Sequence, residues 1–86
     1  MPAIIMYASA LCPYCRNARA LLDRKGVGYT VLDVDQDPQL WREMEERSGR
    51  NTVPQIFIDG KAIGGFDDAR QLDEEGELDR MLGLQA

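Results

Sequence analysis

The stretch LCPYCRNARALL, residues 11–22, places the only two cysteines of the chain, Cys12 and Cys15, within one helical turn. Pro13 suits the first position of a helix, because the N–H that proline lacks would be unpaired there in any case. Apolar residues then recur at helical spacing, at Ala18, Leu21 and Leu22. The stretch therefore predicts a helix that begins beside Cys12 and carries Cys15 about one turn further on.

The flanking sequence predicts strands that alternate with helices. Strands are expected at residues 3–7, 28–35 and 53–59, and Asp59-Gly60 predicts a hairpin into a fourth strand at 61–64. A second helix is expected from Asp37-Pro38 to Ser48-Gly49, a third over residues 67–72, and a last short turn after Gly76.

This element order, β-α-β-α-β-β-α, indicates an α/β fold in one domain over residues 1–86. Alternating strands and helices predict parallel pairing with right-handed crossovers, and the hairpin adds an antiparallel edge. We expect a four-stranded mixed sheet with helices on both faces. A CxxC motif that opens the first helix of a βαβ pattern is typical of thioredoxin-like redox proteins.

Composition excludes several classes of function. The net charge of −5 disfavours nucleic acid and anionic membranes as partners, and the absence of histidine excludes Cys–His catalysis. The N-terminal stretch MPAIIMYASA lacks a basic flank, and its apolar run is too short for a signal peptide or a membrane span. We therefore expect a cytoplasmic protein, where cysteines are kept mostly as thiols.

Redox chemistry is the favoured interpretation of the cysteine pair. A disulfide that closes so short a loop stabilises a fold by only about 2 kcal/mol, before strain is subtracted. A metal site needs about four ligands, so one chain is expected to hold no metal, and an inert pair in the core is the remaining alternative. The helix N-terminus favours the thiolate of Cys12 by roughly one pKa unit, and a larger effect needs hydrogen bonds to its sulfur from backbone N–H groups, with the Cys15 thiol as another candidate donor. We predict Cys12 as the nucleophile and Cys15 as the buried resolving thiol.

Three motifs resemble the dithiol glutaredoxins: CPYC at residues 12–15, RSGRNTVPQIFIDG at 47–60 and IGGFDD at 63–68. The resemblance covers residues 4–82. It implies a thioredoxin-like fold and an enzyme that reduces protein disulfides and glutathione mixed disulfides, in redox homeostasis and electron donation. Glutathione would be the reductant and co-substrate, with no permanently bound cofactor, and the protein is expected to act as a monomer.

The resemblance also assigns a binding site for glutathione. It implies that Tyr14 flanks the groove, that Gln55 reaches the glycyl end, and that the remaining residues bind elsewhere along glutathione: Thr52, Val53, Pro54, Gly65, Asp67 and Asp68. Gly64 and Gly65 allow close approach of a ligand, and the helix after them offers N–H groups to a carboxylate. The resemblance also implies a cis peptide bond before Pro54, with the alternative that Pro54 only opens a strand. The alternative for the two aspartates is that they are ordinary caps, Asp68 with Gln71 as a capping box.

Two positions depart from the family pattern. Ser9 stands three residues before Cys12, where many relatives carry a lysine that would favour the thiolate and meet the glycyl carboxylate. Phe66 stands where some relatives carry a further cysteine. Arginines that would compensate for the missing lysine are Arg16, Arg19, Arg42 and Arg50.

Two other functions stay open at this point. In one, two chains and two glutathiones bridge a [2Fe–2S] cluster through the first cysteine of each chain, although Pro13 stiffens the loop in a way that disfavours this. In the other, the protein takes electrons from a flavoprotein and donates them to a specific partner.

Overall fold

Four strands form one mixed sheet in the computed structural model, which describes residues 2–84. The strands are β1 (Ile4–Ala8), β2 (Thr30–Asp33), β3 (Gln55–Ile58) and β4 (Lys61–Gly64). They lie in the order β2-β1-β3-β4, with β1 parallel to β2 and antiparallel to β3, and with β3 antiparallel to β4. The expected mixed sheet is confirmed.

Helices cover both faces of this sheet, as predicted. They are α1 (Pro13–Arg24), α2 (Pro38–Ser48), α3 (Phe66–Glu74) and α4 (Glu77–Met81). Residues of α1, α3 and α4 share one core with Ile4 and Met6 of β1. Met44 of α2 packs on the opposite face with Tyr7 and Phe57. Alternate residues of a strand point to opposite faces, so β1 contributes to both cores.

Local sequence explains where α1 and α2 begin and end. Pro13 is the first residue of α1, with Cys12 as its N-cap. The carboxylate of Asp37 caps α2 by accepting a hydrogen bond of 2.9 Å from the Gln39 N–H. Gly49 ends α2 with a left-handed φ of 73°, a conformation that glycine adopts without steric cost.

The third strand runs opposite to the sequence prediction. Asp33, at the end of β2, pairs with Ala8, and Gln55, at the start of β3, pairs with Tyr7. The connection through α2 passes over β1 and starts β3 at the same end of the sheet where β2 stopped, so β3 runs antiparallel to β1. Alternation of strands and helices does not specify whether a connection crosses the sheet.

Element boundaries also differ from the prediction at several places. β2 is only four residues long, α3 extends from Phe66 to Glu74, and the last turn is the helix α4. Within residues 2–84, no helix combines the length and the apolar character needed to cross a membrane.

Candidate active site

The candidate site lies at one end of the sheet, where the end of one strand, the start of another and the start of a helix meet. β1 ends at Ala8 and leads into the start of α1, and β3 begins on the neighbouring strand at Gln55. The antiparallel direction of β3 therefore brings the segment 52–54 beside the two cysteines.

Cys12 is a partly buried free thiol at the N-cap of α1. Its Sγ lies 3.6 Å from the main-chain oxygen of Val53, to which the thiol donates a hydrogen bond. The side chain makes no capping hydrogen bond with the helix. The hydrogen bonds from backbone N–H groups to this sulfur that the sequence led us to expect are thus not formed in this structure.

Cys15 differs from Cys12 in being buried, with only 1 % of its surface exposed. Its Sγ accepts a hydrogen bond of 3.5 Å from the backbone N–H of Ser9. The pKa of the Cys15 thiol is raised to about 11, chiefly by burial and in part by the neighbouring Cys12, while the Ser9 N–H and the charge of Arg19 oppose the rise. Cys15 is therefore a protected thiol at neutral pH.

Ser9, which replaces the family's lysine, is tied to the end of β2. Its hydroxyl donates a short hydrogen bond to Asp35 Oδ2. Ser9 thus contacts Asp35 through its side chain and Cys15 through its main chain. The position where many relatives carry a cation is here neutral and paired with a carboxylate.

A groove of about 300 Å³ lies beside Cys12 and brings together seven of the eight residues that the resemblance assigns to glutathione. Arg50 and Phe66 line it as well. The predicted residues in its wall are Tyr14, Thr52, Val53, Pro54, Gly65, Asp67 and Asp68. Residues more than fifty positions apart in sequence thus form one concave surface, as a small-molecule site requires.

The loop on one side of the groove contains a cis peptide bond between Val53 and Pro54. Gln55 supports this loop from below, since its Nε2 donates to the Thr52 carbonyl oxygen at 3.0 Å and lies 3.3 Å from the Thr52 hydroxyl. Gln55 is only 1 % exposed and does not line the groove. The expectation that Gln55 reaches the glycyl end of glutathione is therefore wrong, because its amide is used inside the protein.

The other side of the groove is the start of α3. Gly65 is the N-cap, and its N–H donates a 2.9 Å hydrogen bond to Asp68 Oδ2, which also accepts one of 2.7 Å from Arg50 Nη1. Arg50 and the Gly65 N–H hold the pKa of Asp68 below its ordinary value. Asp68 is thus the third residue of the helix, bonded back to the N-cap, so the proposed capping box with Gln71 is wrong. Asp67, by contrast, is exposed.

The sequence indicates Arg50 only as a substitute for the missing lysine, and it does not predict that Arg50 lines the groove. Arg50 follows Gly49, which turns the chain after α2, and it reaches across the groove to Asp68. Its position two residues before Thr52, which the resemblance assigns to glutathione, is the sequence feature that would have placed Arg50 near the groove. Among the described residues, no group of three or more Cys, Asp or Glu side chains is arranged to hold a metal ion.

A thioredoxin-like α/β fold with an accessible and a buried cysteine at a helix start defines the class of thiol–disulfide oxidoreductases. The family model named Glutaredoxin matches residues 4–63. "Glutaredoxin 3" of Escherichia coli (strain K12) is 49 % identical over 82 residues, which cover 95 % of this chain and 99 % of that protein. The chain therefore belongs to the glutaredoxin family, and it is an enzyme of glutathione-dependent thiol redox chemistry.

Solved structures agree with this assignment. The solution structure of glutaredoxin from Brucella melitensis is 49 % identical, with a TM-score of 0.86 and coverage of 98 % of this chain and 91 % of that one. A buckwheat glutaredoxin–glutathione complex has a TM-score of 0.89 at 29 % identity, covering 95 % of this chain and 77 % of that one. These relatives do not favour the alternative of a cluster-bridged dimer.

Proposed function

We propose that this glutaredoxin reduces glutathione mixed disulfides and protein disulfides through the Cys12–Cys15 dithiol. The observation that carries the proposal is the groove, because it lies beside the accessible sulfur and is lined by seven of the eight residues assigned to glutathione. The dithiol needs a reducing compartment supplied with glutathione, so we propose that the enzyme acts in the cytoplasm. The protein acts as a monomer, since one chain supplies the whole groove.

On a glutathione mixed disulfide, the Cys12 thiolate attacks the glutathione sulfur. The bond between Cys12 and glutathione forms as the bond to the substrate protein breaks, and the protein leaves as a thiolate that takes up a proton. A second glutathione thiolate then attacks the sulfur of the bound glutathione. This step releases oxidised glutathione and returns Cys12 as a thiolate, so the thiol of the second glutathione is oxidised as the sulfur of the substrate protein is reduced.

On a protein disulfide, Cys12 attacks one sulfur and remains bonded to it while the other sulfur leaves as a thiol. Cys15 then transfers its proton to solvent and attacks Cys12 Sγ as a thiolate, which expels the protein sulfur as a thiolate that takes up a proton and leaves a Cys12–Cys15 disulfide. Two glutathiones reduce this disulfide in turn. The raised pKa of Cys15 keeps it protonated while Cys12 reacts, so Cys15 serves this second step only.

The groove offers complementary groups to the two ends of glutathione. The first N–H groups of α3 have no partner within the helix and suit the carboxylate of the γ-glutamyl end. Asp67 is exposed beside them and suits the ammonium group. Arg50 and the loop of Thr52 and Val53 lie on the other side, where the glycyl carboxylate and the peptide bonds of glutathione would contact them.

The test is turnover of a glutathione mixed disulfide, coupled to glutathione reductase, for the wild type, Cys12→Ser and Cys15→Ser. We expect Cys12→Ser to abolish turnover and Cys15→Ser to retain it, because only the first sulfur takes part in that reaction. With a protein disulfide as substrate, both variants should lose activity. Equal loss in both variants on the mixed disulfide would contradict the assignment of roles.

A further inference from the structure

Large apolar side chains are exposed to solvent on the surface next to Cys12. Within residues 2–84, three large apolar side chains are exposed: Leu11 at 92 %, Tyr14 at 56 % and Leu84 at 42 %. Two of these three flank the reactive sulfur. Residues 8–15, ASALCPYC, contain no charged side chain, although 29 % of the whole chain is charged. The cysteine therefore lies in a segment of the chain without charged side chains, on an otherwise highly charged protein.

Leu11 has no structural role that explains its position. It precedes the N-cap of α1, where an apolar residue can pack against the fourth residue of the helix. That fourth residue is Arg16, which is itself exposed, and Leu11 is almost fully exposed. Leu11 also does not line the groove assigned to glutathione. A single exposed leucine needs no explanation, but one bonded directly to the nucleophilic residue lies where every substrate must approach.

We infer that Leu11 is a specificity residue that contacts the polypeptide part of the substrate, and that it favours substrates with large apolar residues beside the reacting cysteine. The inference rests on the proposed function. In a glutathione mixed disulfide the glutathione half occupies the groove, so the polypeptide half lies outside it, over the neighbouring surface of Cys12. The uncharged stretch around Leu11 matches an apolar partner, because interface centres are poor in charge and rich in apolar contacts.

The experiment uses two glutathionylated peptides that differ only beside the cysteine, with leucine on both sides in one and serine on both sides in the other. The mixed disulfide of glutathione with 2-mercaptoethanol serves as a substrate without neighbouring residues. Values of kcat/KM are measured for the wild type, Leu11→Ser, and the matched control Leu84→Ser, which removes an exposed leucine at the other end of the chain. Cys12→Ser is included to test the proposed function itself.

For the wild type we expect a preference of about fivefold for the leucine peptide, since the partner covers only part of the Leu11 side chain. Leu11→Ser should reduce this ratio to near one and leave the 2-mercaptoethanol substrate unchanged, and Leu84→Ser should retain the full preference. A wild type without preference, a preference that survives in Leu11→Ser, or equal losses on all three substrates would overturn the inference while the proposed function stands. Turnover by Cys12→Ser would instead overturn the proposed function.

Discussion

The thiol of Cys12 donates a hydrogen bond to the main-chain oxygen of Val53, with the sulfur and oxygen 3.6 Å apart. Only a protonated sulfur can donate this bond. When Cys12 ionises, the sulfur becomes an acceptor and the Val53 carbonyl loses its partner. We expect an N–H of the bound substrate to donate to this carbonyl more readily in the ionised form, so that the form of Cys12 that reacts also offers a binding group.

The first prediction is that alkylation separates the two cysteines. At about pH 8, iodoacetamide should modify Cys12 and leave Cys15 unmodified, because Cys15 is buried and burial raises its pKa to about 11. Mass spectrometry of the intact reduced protein should show a single adduct, and peptide mapping should place it on Cys12. Protein unfolded in guanidinium is the control and should take up two adducts. Modification of both sulfurs at similar rates in the folded protein would contradict the burial of Cys15.

The second prediction concerns stability at alkaline pH. The pKa of Cys15 is raised from 9.0 to about 11 by burial in the folded state, so the unfolded chain releases the proton first as pH rises. The protonated Cys15 thiol therefore makes its full contribution to the free energy of unfolding below about pH 9, and this contribution is lost progressively as pH rises through about 11. At about pH 10.5 the expected loss is about 2 kcal/mol relative to pH 8.

Urea denaturation of the reduced protein at both pH values measures this loss, with Cys15→Ala as the control for all other titrating groups. Cys15→Ala is less stable at each pH because it leaves a cavity, but its change between the two pH values should be smaller by about 2 kcal/mol. Identical changes in the two proteins would show that Cys15 does not titrate in this range.

The sequence predicted those parts of the fold that depend on local patterns. Pro13 placed the start of α1, Asp37 and Gly49 placed the ends of α2, and the pairing of β1 with β2 followed from one βαβ unit. The direction of β3 was not predictable in the same way. It depends on the end of the sheet at which β3 starts after α2, and no local sequence pattern specifies that end.

The candidate site shows the same division. The CPYC motif and the resemblance selected residues that the structure brings together in one groove. The partners of polar side chains were missed, because they depend on packing between distant segments. Gln55 turned inward to Thr52, Arg50 reached Asp68, and neither contact follows from spacing along the chain.

The third prediction is that Asp67 contributes to substrate binding through its charge. Asp67→Asn should raise KM for glutathione mixed disulfides about threefold to tenfold and leave kcat nearly unchanged, since the ammonium of the γ-glutamyl end is bound equally before and during reaction. Steady-state kinetics at low and high salt measure the effect, which should shrink as salt screens the charges. Glu75→Gln removes the same charge at the far end of α3 and is the matched control. Equal changes in both variants would indicate net charge as the cause.

The fourth prediction is that Gly64 is required because of Asp68. Gly64 has a φ of +101°, and a Cβ there would lie 2.3 Å from Asp68 Oδ2 and 2.9 Å from its Cβ. Gly64→Ala therefore strains the backbone and also displaces Asp68 from its hydrogen bonds with Gly65 and Arg50. We expect it to lower the free energy of unfolding by about 2–4 kcal/mol, measured by urea denaturation.

Gly49→Ala separates these two effects, because Gly49 also has a positive φ, +73°, but a Cβ there meets no atom within 4 Å. It should lower the free energy of unfolding by only about 1 kcal/mol, from backbone strain alone. In an Asp68→Ala background the carboxylate is absent but the Cβ of residue 68 remains 2.9 Å away, so Gly64→Ala should there cost less than in the wild type and more than Gly49→Ala. The difference between the two backgrounds measures the coupling of Gly64 to Asp68. If Gly64→Ala costs the same with and without the Asp68 carboxylate, the close approach of these two residues is not what excludes a side chain at position 64.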